Sequence, residues 1–395
     1  MTSPTGITRQ AVTWLLATNL FLTGLSAAAI TPYRAVVAIQ GLGLSNGEFA
    51  AIMMVNALAT AAMSVVLGSL SDRISDRRRL VLLSAVMGGL AYGLIYLVQR
   101  QWAYVAAFCL ILPLGGALMS QSLAFSRAYY DRNAPDQAVF MTSLLRTMFS
   151  AAWVVVPPVA GWIASRYTVL DVFAFAAFGH AGCALIFGYM FTRPEALIPP
   201  NPAARSGVAF WRLLGPWQLT GIAGILMLRT ALQLHMTVLP LAMTTDFRGT
   251  YANVGFTAAV AAALEVPCMI LWGYAAARWR KDAILVGTGT LFAAYLLAVS
   301  FATTPLAVLW LQIPNAVATA AVISLTITYM QDTIKGRVGL STSLLDVVNV
   351  ASTLLAAALF GLVASRSSYV SGFVAAAVAS LAGVGLLWVS LRRTP

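Results

Sequence analysis

Residues 80–98 read LVLLSAVMGGLAYGLIYLV, a run of 19 residues without a charged side chain. Basic residues enclose this run, with Arg77, Arg78 and Arg79 before or at its start and Arg100 after it. An α-helix needs about 20 apolar residues to cross the roughly 30 Å hydrocarbon core of a bilayer. The run therefore predicts a membrane-spanning helix.

The rest of the chain has the same character. Of its 395 residues, 60% are hydrophobic and 9% are charged, whereas soluble globular chains carry about 25% charged residues. Apolar blocks predict twelve helices, at 11–31, 46–68, 80–98, 102–124, 138–163, 170–192, 217–242, 251–274, 283–302, 305–330, 338–364 and 368–391. The sequence thus predicts an all-α membrane protein with the lipid bilayer as its surroundings.

The longest polar stretch lies near the middle of the chain. It covers 193–216 and is rich in proline, which interrupts helices. We therefore predict an N-terminal six-helix bundle at 1–192, a cytoplasmic linker at 193–216 and a C-terminal six-helix bundle at 217–395.

Basic residues are unevenly distributed between the two sides of this predicted arrangement. One side carries only Arg34, Arg100, Arg166, Arg248 and Arg366, whereas the side with both termini and the linker carries most of the others. The positive-inside rule then predicts cytoplasmic termini for a multi-pass protein of the bacterial inner membrane. We expect the first helix to be uncleaved, because its apolar block is too long for the hydrophobic region of a signal peptide. The net charge of +12 is spread over short loops, so we expect no nucleic-acid partner.

An internal repeat supports two related halves. The stretch from Thr142 to Arg146 (TSLLR) recurs from Thr342 to Asp346 (TSLLD), and Phe173 recurs at the same offset as Phe373. Both copies start on the predicted cytoplasmic side, which indicates parallel repeats.

The loop after the second predicted helix carries a recognisable motif. From Gly68 to Leu80 it reads GSLSDRISDRRRL, which resembles the cytoplasmic signature of the major facilitator superfamily. The resemblance implies the major facilitator fold, with twelve transmembrane helices in two pseudo-symmetric six-helix bundles. It also implies a role in conformational gating for Gly68, Asp72, Arg73, Asp76, Arg77, Arg127 and Asp332.

Within that superfamily the chain resembles the sugar efflux transporter family along nearly its whole length. The likeness is carried by stretches such as Ala152-Trp153-Val154 with Pro157-Pro158, Leu264-Glu265-Val266-Pro267 and Asn315-Ala316-Val317. It implies secondary active transport by alternating access, with proton-coupled efflux of sugars or glycosides.

Four ionisable residues lie inside predicted spans: Arg146, Arg229, Glu265 and Asp346. Such groups are costly in hydrocarbon and are functional candidates by default. We predict that Glu265, Arg146 and Asp346 take part in proton coupling. Arg146 and Glu265 lie at similar depths, roughly 12 to 14 Å from the cytoplasmic face at ~1.5 Å per residue, so we expect a protonation-dependent ion pair between them.

Polar side chains at helical spacing predict a substrate cavity. Neutral amides and hydroxyls suit a sugar because they donate and accept hydrogen bonds without net charge. The predicted substrate contacts are Asn315, Gln312 and Thr319 on helix 10, Arg229 and Gln233 on helix 7, Asn19 and Trp14 on helix 1, and Asn56 on helix 2. The alternative is that these groups make hydrogen bonds between helices, and we expect His235 to be such a packing residue.

Other functions have weaker support. Methionines in the spans are compatible with an alternative function as a proton-coupled multidrug exporter. A sugar uptake symporter is the other alternative. The two histidines form no HExxH motif and no Walker motif is present, so we expect no enzyme. We also expect no cofactor, no metal and a monomer whose partners are protons and a small sugar or glycoside.

Overall fold

The computed structural model describes residues 8–71, 74, 76–193, 197, 215–333, 338–364 and 368–393, with backbone alone at 68, 69, 71, 338–340, 342 and 343. Twelve helices in these residues are long and apolar enough to cross a membrane. They are α1 Arg9–Ile30, α2 Asn46–Ser71, α3 Arg78–Val98, α4 Gln101–Asn133, α5 Ala138–Arg166, α6 Asp171–Phe191, α7 Pro216–Thr245, α8 Tyr251–Ala276, α9 Lys281–Ser300, α10 Pro305–Thr333, α11 Val338–Val363 and α12 Val370–Arg393. The predicted all-α membrane fold is confirmed.

Threonine caps define where several helices begin. The Thr8 hydroxyl accepts a 3.2 Å hydrogen bond from the backbone N–H of Ala11 at the start of α1. Thr250 and Asn253 form a reciprocal capping box at the start of α8. Thr304 caps α10, and Pro305 follows it in the first helical position, where a missing N–H costs nothing.

One span contains a rare local distortion. Residues Ala107–Ile111 of α4 form a π-helical turn, a feature that is frequent at functional sites. The carbonyl of Phe108 within this turn accepts a 2.5 Å hydrogen bond from Nδ2 of Asn56 on α2. The predicted substrate residue Asn56 therefore ties α2 to α4.

The chain divides into two compact units. The first contains Met1–Gly43 and Val55–Arg205, and the second contains Leu44–Met54 and Ser206–Pro395. In the first, α1 packs against α5 and α6, and α3 packs against α6. In the second, α7 packs against α11 and α12, and α9 packs against α12. This matching order agrees with the repeat, whereas the linker at 193–216 lies mostly outside the described residues and stays a prediction.

The first turns of α2 pack within the second unit. Asn46 donates from Nδ2 to the carbonyl of Ala364 at 3.2 Å and accepts a 3.2 Å hydrogen bond from the Tyr369 hydroxyl. Phe49 packs edge-on against Phe360, with ring centroids 5.7 Å apart. The sequence pattern had not predicted that one span would be shared in this way.

Close helix crossings depend on glycine. A Cβ at Gly24 of α1 would lie 2.6 Å from the carbonyl oxygen of Phe149 on α5. In the second unit, a Cβ at Gly383 of α12 would lie 2.7 Å from the carbonyl oxygen of Gly224 on α7. Small residues at such crossings let the backbones approach closely, which stabilises helix pairs in lipid.

Candidate functional site

Glu265 is a partly buried carboxyl group that contacts the polar side chains of the second unit. It lies on α8, and its Oε1 is 2.6 Å from the hydroxyl of Thr319 on α10. The same hydroxyl is 2.9 Å from the backbone carbonyl oxygen of Asn315, one turn earlier. An acidic group thus contacts Thr319, one of the predicted substrate residues Gln312, Asn315 and Thr319 of α10, which we call the polar stripe.

The polar stripe continues along α10 and reaches two further helices. Asn315 donates from Nδ2 to Oε1 of Gln312 at 2.8 Å, and Gln312 donates from Nε2 to the carbonyl of Val308 at 3.0 Å. The Gln312 amide is also 3.4 Å from the hydroxyl of Tyr295 on α9, which lies 2.8 Å from Nε2 of His235 on α7. These hydrogen bonds connect α7, α8, α9 and α10.

Two atoms of this network have no hydrogen-bond partner within the described residues. They are Oδ1 of Asn315 and Nδ1 of His235. Asn315 is 3% exposed and His235 is 4% exposed. Because an unpaired buried polar atom is costly, each marks a place where a water molecule or a ligand would be stabilised.

A second set of polar contacts joins α7 to α11. Arg229 donates from Nη2 to Oδ1 of Asn349 at 2.6 Å, and one turn further Gln233 donates from Nε2 to the hydroxyl of Thr353 at 3.3 Å. The Nε of Arg229 is buried and has no partner in the described part of the chain. Within the described residues, the partner of the guanidinium is a neutral amide, and no ion pair with Arg229 is found there.

The first unit contains a smaller polar cluster. Asn19 of α1 is fully buried and donates from Nδ2 to the hydroxyl of Ser122 on α4 at 2.9 Å. Its Oδ1 has no partner among the described residues. Thr23 donates to the carbonyl of Asn19, whereas Ser26 donates to the carbonyl of Ala176 on α6. The Ser26 bond is of the interhelical kind that the sequence left open.

Three of the predicted coupling and substrate residues have exposed side chains in the structure. Trp14 is 68% exposed, and Arg146 and Asp346 are also in the exposed class. The expected pair of Arg146 with Glu265 would join residues of different units, so it stays a prediction.

A buried ion pair lies at the start of α3. Asp76 accepts hydrogen bonds from the backbone N–H of Arg78 at 3.0 Å and from its guanidinium at 2.8 to 3.1 Å. Nη1 of Arg78 also donates to the carbonyls of Met190 and Arg193 at 2.7 and 2.8 Å. A cation at the carbonyl end of α6 satisfies groups that lack helical partners, so this pair fixes α3 against α6.

The remaining predicted gating residues make weaker contacts. Arg127 pairs with Asp131 in the next turn of α4, where the side chains are 45% and 49% exposed. Asp332 of α10 pairs with Lys281 of α9 at 2.5 Å. Gly68 lies within α2, and the Nε of Arg77 is buried without a partner in the described residues. Asp72 and Arg73 lie outside the described residues.

Comparison with known proteins now identifies the family. The sequence model of the Major Facilitator Superfamily matches residues 16–228 and 221–395, which together span most of the chain. This chain belongs to the major facilitator superfamily. It is accordingly a multi-pass membrane transporter and not an enzyme.

Relatives of this superfamily member include several sugar efflux transporters. A sugar efflux transporter of Deinococcus radiodurans is 28% identical over 95% of this chain and 96% of its own length. Sugar efflux transporters A and C of Escherichia coli are 26% and 25% identical, each over 93% of both chains. The resemblance to the sugar efflux transporter family is confirmed.

Solved structures of two other transporters share the fold. A peptide transporter, POT, superposes with a TM-score of 0.78 at 13% identity and covers 96% of this chain and 94% of its own. The nucleoside transporter NupG superposes with a TM-score of 0.76 at 11% identity and covers 97% of this chain and 100% of its own. At these identities the likeness concerns the fold alone.

Several residues of the transporter's polar interior were missed by sequence reasoning. Asn349 and Thr353 on α11 are spaced four apart, the same spacing as Arg229 and Gln233 on α7. That i, i+4 match is a signal that a search for paired stripes would have found. Arg78 was quoted within the loop motif but was not predicted to act, because its partners on α6 are distant in sequence.

Proposed function

We propose that this transporter exports sugars or glycosides from the bacterial cytoplasm across the inner membrane. Inward movement of protons drives export, and the protein alternates between states open to each side. The relatives named above support the substrate class because they are called sugar efflux transporters and match over nearly the full chain. The cytoplasmic position of both termini follows from the distribution of basic residues.

The observation that carries the proposal is the unpaired Oδ1 of Asn315. Its amide nitrogen is held by Gln312 at 2.8 Å, which fixes the orientation of the carbonyl oxygen. A buried acceptor without a partner favours a ligand that brings an O–H donor, and a sugar has several. The neighbouring amide and hydroxyl groups are neutral, which suits an uncharged substrate.

The proposed proton carrier is Glu265. It lies in a membrane span, its contact in the second unit is a neutral hydroxyl at 2.6 Å, and no ion pair involves it there among the described residues. A carboxyl group without a compensating cation can take up and release protons. In the proposed cycle the ionised form pairs with Arg146, and protonation releases the arginine.

The proposed partners are few. They are protons, a sugar or glycoside and the surrounding lipid, and the protein works as a monomer. Arg229 and Gln233 of α7 would add donors beside the sugar, with Trp14 available to stack against its ring.

Transport by purified protein in lipid vesicles tests the proposal. With an acidic lumen, protons leave as sugar enters, so labelled lactose or a methyl glucoside should accumulate inside vesicles that contain the protein. Accumulation only with an acidic exterior would indicate uptake symport instead. Transport of a cationic dye such as ethidium without any sugar transport would establish a drug exporter and contradict the substrate assignment.

A further inference from the structure

The hydroxyl of Thr319 has two acceptors and one hydrogen. It lies 2.6 Å from Oε1 of Glu265 and 2.9 Å from the backbone carbonyl oxygen of Asn315. Both distances are within hydrogen-bond range. Thr319 is 2% exposed, so bulk water does not compete for either contact.

A hydroxyl donates one hydrogen bond and accepts others. When Glu265 is ionised, its carboxylate only accepts, so the Thr319 hydrogen must point to Glu265. When Glu265 is protonated, the carboxyl O–H can donate to the oxygen of Thr319. The Thr319 hydrogen is then free to point to the carbonyl of Asn315. One proton therefore sets the direction of the hydrogen bond between Thr319 and Glu265, and decides whether the Thr319 hydrogen is available to the carbonyl of Asn315.

We propose that Thr319 is a positioning residue whose hydroxyl reverses its hydrogen bond with the protonation state of Glu265, and so links that proton to Asn315. The inference rests on the proposed role of Glu265 in proton coupling. It adds a residue that transmits the proton's presence to the helix turn bearing the proposed substrate contact. Asn315 and Thr319 then act together and not as two separate sugar ligands.

Among the described residues, few other titratable groups lie on the helices that pack against α8 in the second unit. On α8 itself, Cys268 interacts electrostatically with Glu265. On α7, Arg229 is bonded to Asn349 and His235 to Tyr295. On α10, Tyr329 and Asp332 lie near the cytoplasmic end, where Asp332 pairs with Lys281. The described contacts thus leave Thr319 as the group that responds directly to the carboxyl, with Arg146 of the first unit as the proposed ionic partner.

Infrared titration of the reconstituted full-length protein tests the inference without needing a substrate. The carboxyl stretch that disappears in Glu265→Gln identifies the Glu265 signal, and its midpoint is then followed against pH. Thr319→Val removes the donor to the carboxylate while keeping nearly the same shape. We expect the midpoint to rise by about one pH unit and Thr319→Ser to restore it.

The matched control is Thr326→Val on the same helix. Thr326 is also buried, and its hydroxyl bonds only to the carbonyl of Val322 in the described contacts. An unchanged midpoint in Thr319→Val, or an equal shift in Thr326→Val, would overturn the inference. Failure of the unmodified protein to transport sugar would contradict the proposed function and leave the titration result valid.

Discussion

At the crossing of α3 with α6, Gly88 faces the ring of His180, and a Cβ at this position would collide with that ring. At the corresponding crossing of α9 with α12, Ser380 donates a 2.8 Å hydrogen bond to the carbonyl of Gly289. A glycine lets the two helices approach closely at both crossings, but the residue opposite the glycine is a histidine in one and a serine in the other. The repeated element is the helix crossing, and its polar content has diverged between the units.

The two units differ more strongly in the polar contacts near the middle of their spans. In the first unit, the Asn19 side chain donates to Ser122, and the backbone carbonyl of Asn19 accepts from the Thr23 hydroxyl. In the second, hydrogen bonds connect Glu265 through α10 to His235. The larger hydrogen-bonded network among the described residues therefore lies in the second unit, and the contribution of Arg146 from the first unit stays a prediction.

The largest expected effect comes from Glu265→Gln. Glutamine keeps the shape and the contact with Thr319 but carries no exchangeable charge, so transport driven by a pH gradient should fall to background. Exchange of labelled for unlabelled sugar without a gradient should persist. Both are measured in vesicles, with Asp346→Asn as the comparison and a smaller expected loss. Normal gradient-driven transport by Glu265→Gln would eliminate Glu265 as the carrier.

A large stability difference is expected between two arginines that form ion pairs near helix starts, Arg78 in the first unit and Arg280 in the second. Arg78→Ala leaves Asp76 unpaired in a site where both side chains are at most 7% exposed, and this should cost about 3–5 kcal/mol. Arg280→Ala in the second unit breaks a pair with Asp282 in which the arginine is 47% exposed, and it should cost under about 1 kcal/mol. Thermal unfolding in detergent measures both losses. Equal decreases in melting temperature would show that the stability of these two ion pairs does not depend on their burial.

A moderate effect is expected at the helix crossings in both units. Gly24→Ala and Gly383→Ala place a methyl group against a carbonyl at 2.6 and 2.7 Å, which should destabilise by about 1–3 kcal/mol. Gly93→Ala and Gly385→Ala are the controls, since nothing lies within 4 Å of their added Cβ. They should be neutral or gain up to about 1 kcal/mol from helix propensity. Melting temperatures that do not separate these sets would contradict the assigned crossings.

The smallest effect is expected in substrate affinity. Asn315→Leu removes the amide oxygen with little change of volume, so we expect roughly tenfold weaker sugar binding, or about 1.4 kcal/mol. Calorimetry with lactose measures this, and an unchanged affinity would remove Asn315 from the site. Asn19→Leu sharpens the comparison between the units. A loss equal to that of Asn315→Leu would place sugar recognition in both of them.

Much of the architecture was accessible from local sequence properties. A run such as 80–98 is long and apolar enough to span a bilayer whatever surrounds it, because hydrocarbon admits only helices or closed barrels. The repeat that ends at Arg146 and Asp346 also indicated two related halves. It was visible without a structure because it compares two stretches of the same sequence. Glu265 and Arg229 were identifiable as candidates because a charge in an apolar span is costly wherever it points.

The sequence by itself therefore determined the spans, the helical class, the family resemblance and the few ionisable groups in the membrane. Only the tertiary structure decided which groups meet. Thr319 contacts Glu265 although 54 positions separate them, and Arg229 contacts Asn349 across 120. Helical periodicity gives the face of each residue relative to its own helix. It does not give the rotation of that helix against its neighbours, which is set by packing at glycines such as Gly24 and Gly383.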